Sequence, residues 1–361
     1  MNAVVREPVT AAQQLVLLGT GTVGAAFVRR YQQLQTRGLA VPALAWLANS
    51  RAARRCAGEL ETVLEQVRRA PAAADPRVAL AATTPLRAGD VVVDATASDA
   101  VAGRHAGWLQ AGIHVVTANK LGTGAQLQRA EQIVACGAAS SARYGDSATV
   151  GAGLPLLSSL RSLVAGGDRI HTIEGVLSGS LAWLFHRYDG QRPFSDAVRE
   201  ALAAGFTEPD PRVDLSGEDV RRKLLILARA SGLALDAAQV QVQSLVPPAL
   251  VALPLAQALE QLSCIDAPLR QQWRHARDEG KVLRFVGRVD RTGAQVGLRA
   301  LPMDHPLAQG AGTDNRVVIH SDRYATQPLQ VQGPGAGAEI TAAALLDDVL
   351  RIVETAARPI R

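Results

Sequence analysis

At 361 residues and 48% hydrophobic, the chain can bury a large core and is long enough for two domains or one elaborated domain. Its formal net charge of +5 comes from arginines spread along the whole length, and aromatics make up only 4%. That excludes the clustered basic stripe with stacking platforms that a nucleic-acid-binding protein needs. Cys56, Cys136 and Cys264 lie far apart without a CxxC pair, and read as free thiols of a reducing, cytoplasmic compartment. The N-terminal MNAVVREPVTAAQQ lacks a basic start followed by an apolar core, so no signal peptide is expected. The most apolar stretch, Leu245 to Leu259, is broken by Pro247, Pro248 and Pro254 and is too short for a membrane span.

In chain order, Leu15–Leu18, Ala43–Ala48, Val91–Ala95 and Ile113–Thr117 read as buried strands. Helical patterns near Val23–Gln35, Arg54–Arg69 and Ala100–Ala111 separate them, and Ala-rich patches such as Pro71–Ala74 read as loops. Apolar strands alternating with helices predict a parallel, doubly wound α/β sheet over residues 1–150. The first strand runs straight into Gly19-Thr-Gly21-Thr22-Val23-Gly24 and a helix, the GxGxxG fingerprint in its strand–turn–helix setting. The first glycine permits the turn, the second admits a pyrophosphate, and the third lets helix and strand pack closely. The helix N-terminus offers N–H groups to the phosphate.

The choice of dinucleotide rests on a missing acid. NAD-binding units usually carry Asp or Glu about 20 residues after the glycines, yet no acidic residue lies between Glu7 and Glu59. The second strand ends instead in Ala48-Asn49-Ser50-Arg51, with Arg54 and Arg55 following. A guanidinium with an amide nearby suits a 2′-phosphate, so NADP(H) is expected, with NAD(H) as the alternative. Further on, Asp94-Ala-Thr96-Ala-Ser98 puts Thr96 and Ser98 at a strand's carboxyl end, where ligands sit in open α/β sheets. The next strand ends in Thr117-Ala-Asn-Lys120.

Past about residue 150 the texture changes. Helices at Leu156–Ala165, Ser195–Ala204, Ser216–Ala230 and Leu255–Ser263 mix with strands at Lys281–Val289, Gln295–Ala300 and Val317–Ser321, which predicts an α+β domain over 151–320. A final segment, 321–361, carries a glycine cluster and an amphipathic helix at Thr341–Val353.

The densest chemistry is Gly205-Phe-Thr-Glu208-Pro-Asp210-Pro-Arg212-Val-Asp214-Leu-Ser216-Gly-Glu218-Asp219-Val-Arg-Arg-Lys223. Prolines around Asp210 predict an extended loop, and Ser216 an N-cap for the next helix. Asp219 and Lys223 are then i and i+4 on one face, with Lys223 beside the apolar side marked by Val220, Leu224 and Leu227. An inward lysine has to be paired, have a lowered pKa or border a cavity. The 38 basic residues comprise 35 Arg and three Lys: Lys120, Lys223 and Lys281. In so Arg-rich a chain, a surviving lysine is a candidate for proton transfer, which Arg cannot perform. Against this stands the plain alternative of a capping box between Ser216 and Asp219 with a snorkelling Lys223.

These residues resemble the signature of homoserine dehydrogenases. So do Thr117-Ala-Asn-Lys120, Val150-Gly-Ala-Gly-Leu-Pro155, Ser178-Gly-Ser180 and Gly333-Pro-Gly-Ala-Gly337 followed by Thr341-Ala. Ala276-Arg-Asp-Glu-Gly-Lys281-Val-Leu and the glycine-rich C-terminus look like the dehydrogenase half of bifunctional aspartokinase–homoserine dehydrogenases. The likeness runs from about residue 14 to 354. It implies an NADP-dependent interconversion of aspartate semialdehyde and L-homoserine in threonine, methionine and isoleucine biosynthesis. It further implies a Rossmann-type domain, an α+β substrate and dimerisation domain, a C-terminal helix returning to the first domain, and a homodimer.

By the same resemblance, Lys223 would donate the proton and Lys120 would lie beside nicotinamide and substrate. Glu208 and Asp219 would hold the substrate's polar groups, with Asp214 nearby. Gly205 and Gly335 would let backbone approach the substrate–cofactor junction. Carbonyls of Val150, Ala152 and Leu154 would bind a monovalent cation, Na+ or K+; the chain departs from the family by having Asp146-Ser147 where an aromatic–acid pair often stands. The chain begins about a dozen residues before the first strand and ends just past the last helix. Inhibition by threonine through a regulatory domain of its own is therefore not expected. Two rivals are a dehydrogenase of another small amino-acid semialdehyde and a non-catalytic NADP-binding regulator. Retention of Lys120 and Lys223 speaks against the second.

Overall fold

A computed structural model describes residues 13–71 and 86–357. The N-terminal residues 1–12 of the stretch read for a leader, and residues 72–74 of the Ala-rich loop, lie outside the described residues. The chain divides into two compact units, one of Met1–Thr117, Ile133–Gly145 and Leu345–Arg361, the other of Ala118–Gln132 and Asp146–Ala344.

The first unit is built on strands β1 (Gln14–Leu18), β2 (Ala43–Ala48), β3 (Ala53–Arg55), β4 (Val91–Asp94), β5 (His114–Thr117) and β6 (Tyr144–Gly145). Their order is β3-β2-β1-β4-β5-β6, all pairings parallel except β2 with β3. Successive residues of β1 and β4 are buried on both faces, Leu15, Leu17, Val91, Val92 and Val93 all at 0% exposure. Helices on both sides of a parallel sheet demand such apolar strands. The expected helix at Arg54–Arg69 is shorter, Leu60–Arg68. Arg54 and Arg55 instead pair antiparallel with Leu47 and Trp46, and Gly58, at φ +97°, turns the chain before the helix begins. The expected Ala100–Ala111 helix is two short ones, Asp99–Ala102 and His105–Gln110, separated at Gly103-Arg104.

The second unit holds β7 (Ile170–Val176), β8 (Val240–Val242), β9 (Lys281–Asp290), β10 (Gly293–Pro302), β11 (Asp314–Ser321) and β12 (Leu329–Pro334), ordered β12-β11-β7-β9-β10-β8. All pairings are antiparallel except β10 with β8. Helices Leu156–Ala165, Gly179–Arg187, Phe194–Ala203 and Glu218–Ala230 bury Leu160, Leu181, Phe194 and Leu224 in one core with Ile173, Phe285, Val289 and Val317 of the sheet. This α+β build matches the expectation; β7, β8 and β12 are additional to the strands read from the sequence.

The unit boundaries differ from the sequence reading in three places, the shortest being residues 146–150, which belong to the second unit. Residues 118–132 go with the second unit, because Arg229 donates to the carbonyls of Thr123 and Ala125 at 2.5 and 3.0 Å. Residues 321–344 stay there too, because β12 pairs with β11, and the return to the first unit begins at Leu345. Among the described residues no helix is long and apolar enough to cross a membrane.

Phe194 is fully buried, stacked on Phe185 with centroids 5.2 Å apart and edge-on to Tyr188 at 5.1 Å. Phe194→Ala is expected to cost the second unit about 3–5 kcal/mol in urea unfolding. A loss under about 1 kcal/mol would mean that the site collapses around the missing ring.

Candidate active site

In the first unit, β1 delivers Gly19 at φ +99°. A Cβ there would lie 2.7 Å from the Ala95 carbonyl oxygen, and one on Gly24 would lie 1.9 Å from the Gly19 carbonyl oxygen. These two glycines are fixed by the packing of strand, turn and helix. Gly21 differs: a Cβ there would meet nothing within 4 Å. It is the N-cap of helix Thr22–Thr36 and provides no side-chain cap, so the N–H groups of the first turn, from Thr22, Val23 and Gly24, are the free donors of a helix start.

Asn49, at the end of β2, is committed to shaping this rim. Its Nδ2 donates to Thr20 Oγ1 and the Val67 carbonyl, and its Oδ1 accepts from the Arg51 and Ala52 amides at 2.7 and 3.0 Å. The exposed Arg51 side chain stands on that turn. At the end of β4, Thr96 donates its amide and hydroxyl to Asp94 Oδ1 at 2.9 and 2.7 Å, and Ser98 caps the helix that follows. Behind them lies a pair that the sequence reading missed. Asp94 and His105, both at 0% exposure, meet at 3.0 Å, and His105 also touches the Tyr144 hydroxyl at 3.1 Å. The only signal was a histidine on a short helix after the Asp-Ala-Thr motif.

In the second unit, helix Glu218–Ala230 places Asp219 and Lys223 as expected. Lys223, 7% exposed, sits between buried Val220, Leu224 and Leu227. Its Nζ donates to Asp219 Oδ2 at 2.8 Å and to the Leu177 carbonyl at 2.6 Å. Lys120 Nζ reaches Asp219 Oδ1 at 3.2 Å. Two of the three lysines therefore share one carboxylate, while the third, Lys281, pairs with Glu279. Burial lowers the Lys223 pKa, Asp219 supports its charge, and Lys120 opposes it. Burial also works against the Asp219 charge, but the two ammoniums outweigh it and hold the carboxyl far below its ordinary range.

The capping box between Ser216 and Asp219 does not form. Gly217, at φ +78°, is the N-cap, and Ser216 Oγ donates to the Val213 carbonyl while accepting from the Glu218 amide at 3.2 Å. A Cβ on Gly217 would also lie 2.9 Å from the Phe285 ring, so the helix starts one residue later than Ser216 predicts. The loop before it is not extended throughout. Arg212–Leu215 forms one helical turn, and Arg212 clamps it through Asp210 and the carbonyls of Leu250 and Leu253 at 2.7 Å each.

Glu208 is exposed, while its amide donates to Asp214 Oδ2 at 2.9 Å. Asp214 Oδ1 accepts from Ser180 Oγ at 2.7 Å, and Ser180 meets Ser178 Oγ at 2.9 Å. Burial raises the Asp214 pKa against these hydrogen bonds. Gly205, at φ +72°, closes the C-terminus of helix Phe194–Ala203, with the Phe206 amide bonding back to Ala201. Around the proposed cation ligands, Gly151 and Ala152 are successive left-handed residues (φ +72° and +49°). The Leu154 carbonyl accepts from the Leu156 amide at 2.8 Å, and Asp146 is bound bidentately by Arg161. Among the described residues no cluster of three His, Cys, Asp or Glu could hold a metal ion.

Gly21→Ala is expected to leave thermal stability nearly unchanged and to weaken NADPH binding at least about tenfold, since the added methyl intrudes only on the ligand's side. Titration by nucleotide fluorescence checks this; unchanged affinity would move the phosphate away from this turn.

Known proteins resemble both halves. The homoserine dehydrogenase family model matches residues 155–350, and the homoserine dehydrogenase NAD binding domain matches 19–144. A maize chloroplastic bifunctional aspartokinase/homoserine dehydrogenase is 47% identical over 265 residues, 73% of this chain and 29% of that protein. The chain thus spans under a third of the length of such bifunctional relatives. An Emericella nidulans homoserine dehydrogenase is 39% identical over 277 residues, covering 73% of this chain and 75% of its own. Among solved structures, a Candida auris protein of unknown function has a TM-score of 0.80 at 35% identity, covering 95% of this chain and 98% of that one. A hyperthermophilic archaeal homoserine dehydrogenase in complex with NADPH has a TM-score of 0.72 at 20% identity, covering 95% and 98%.

Proposed function

Because this chain belongs to the homoserine dehydrogenase family of NAD(P)-dependent oxidoreductases, we propose that it interconverts L-aspartate 4-semialdehyde and L-homoserine, with Lys223 as the proton donor. The observation that carries this reading is the arrangement of Lys223, Asp219 and Lys120 within one unit. A bound NADPH supplies the hydride for the aldehyde carbon. Lys223 transfers a proton to the developing alkoxide oxygen, and in the oxidative direction the neutral amine takes the hydroxyl proton back. Asp219 and the Leu177 carbonyl occupy two of the three ammonium N–H bonds and leave one for the substrate oxygen. Exposed Glu208 would hold the substrate ammonium, and Lys120 its carboxylate or the nicotinamide side. Positioned proton transfer of this kind contributes about 10²–10⁴-fold.

NADP(H) is the proposed cofactor, supported by Arg51 on the β2 turn and the absence of an acid between Glu7 and Glu59. A monovalent cation at the Val150, Ala152 and Leu154 carbonyls and a homodimer formed through the second unit belong to the same reading. Light scattering tests the dimer.

Lys223→Arg keeps the charge but removes a group able to release a proton near neutral pH. Its kcat should fall at least about 10²-fold with NADPH affinity unchanged; a near-normal kcat removes Lys223 from the mechanism. Asp219→Asn deletes the carboxylate that supports the Lys223 charge, while burial and Lys120 still lower its pKa. The donor then deprotonates sooner, and the alkaline limb of the reduction rate should move to lower pH. A limb that stays in place belongs to another group.

The ratio of kcat/KM for NADPH over NADH should exceed about ten, and Arg51→Ala should narrow it by about tenfold. Equal use of NADH by the wild type would show that the missing acid does not set the preference.

A further inference from the structure

Leu177 lies just past the end of β7, so its carbonyl stands outside the strand ladder, yet it accepts two side-chain donors. One is Lys223 Nζ at 2.6 Å; the other is Asn315 Nδ2 at 3.3 Å. Asn315 is on β11, one residue before Arg316, which pairs with Val176. It extends that pairing by one residue with a side chain in place of backbone. The amide's orientation is dictated, because only its NH2 can face a carbonyl. Asn315 is at 0% exposure, and its Oδ1 is buried with no hydrogen-bond partner among the described residues. Native cores seldom retain an unsatisfied acceptor for packing alone. The backbone of Gly335 lies directly on this amide: a Cβ there would fall 2.0 Å from Asn315 Cγ and 2.1 Å from Nδ2.

We propose that Asn315 is a positioning residue for the proton donor, its amide fixing the Leu177 carbonyl that with Asp219 fixes the Lys223 ammonium, and that Gly335 lacks a side chain in order to seat that amide. The inference rests on the reading of Lys223 as proton donor. An ammonium with two fixed acceptors has its third N–H aimed; with one acceptor free to drift, that direction is lost, and small misplacements are costly to rate.

The test is a two-site series, Asn315→Ala, Gly335→Ala and the double variant, assayed with aspartate semialdehyde and NADPH. Asn315→Ala should lose about tenfold or more in kcat, keep KM for NADPH, and show a larger solvent deuterium isotope effect on kcat as proton delivery slows. Gly335→Ala should lower both Tm and kcat by displacing the amide. In the double variant the methyl of residue 335 enters the vacated space, so Tm should recover relative to Gly335→Ala while kcat stays low. Should Asn315→Ala fail to fold, the double variant carries the comparison. Recovery of kcat along with Tm would overturn the proposal, making Asn315 a packing group only. So would an Asn315→Ala enzyme with wild-type kcat and isotope effect. An inactive wild type refutes the function reading and this inference with it; an active wild type matched by its variants refutes this inference alone.

Discussion

The need to keep one ammonium charged inside an apolar core governs the second unit. Lys223 emerges between Val220, Leu224 and Leu227, all essentially unexposed, where an unpaired charge would cost several kcal/mol. Asp219, one helical turn earlier, provides the compensating charge, and the Leu177 carbonyl a second acceptor. The same carboxylate also takes Lys120. Two ammoniums on one carboxylate leave the cluster one negative charge short, which favours an anion or a developing alkoxide next to Lys223. Asp214 nearby also supports the Lys223 charge, more weakly than Asp219, while burial raises its own pKa.

Lys120 enters this cluster from a segment held against the helix that carries the other two groups. Arg229, on the same helix as Asp219 and Lys223, donates to the carbonyls of Thr123 and Ala125. Gly124 lets the backbones meet, since a Cβ there would fall 2.7 Å from the Lys120 carbonyl oxygen and 2.8 Å from that of Arg222. The spacing of the three charged groups is therefore set within a single packed substructure. Fixed geometry of this kind is what makes electrostatic stabilisation effective, because nothing reorganises as charge develops.

The parts of this site that were legible in the sequence are those whose partners lie close along the chain. The strand–turn–helix glycines declare themselves within ten residues, and Asp219 and Lys223 are one turn apart. Lysine scarcity added a compositional hint that three-dimensional packing then explained for Lys120 and Lys223, but not for Lys281 on its exposed pair with Glu279. The Leu177 carbonyl lies 46 residues from Lys223 and 138 from Asn315, and neither periodicity nor spacing carries that information. Local rules also misjudged places where a long-range contact decided the outcome. Arg54 and Arg55 look like the start of a helix, yet pairing with β2 makes them a strand. Ser216 looks like an N-cap, yet close approach of Phe285 requires Gly217 to do the turning.

The acids of the central motif are divided by their surroundings, as two carboxylates in one site commonly are. Asp219 is committed to the lysines. Asp214 has one oxygen on Ser180 and the other on the Glu208 amide, so its expected place as a substrate ligand has to compete with bonds it already makes. Those bonds orient the loop on which Glu208 stands exposed. Of the three, only Glu208 presents a carboxylate to solvent without such a commitment among the described contacts. A preference for a substrate bearing an ammonium group would therefore rest on Glu208, with Asp214, Ser180 and Ser178 holding its backbone in place. In that arrangement Asp214 would act on substrate affinity through the position of Glu208 rather than by contact.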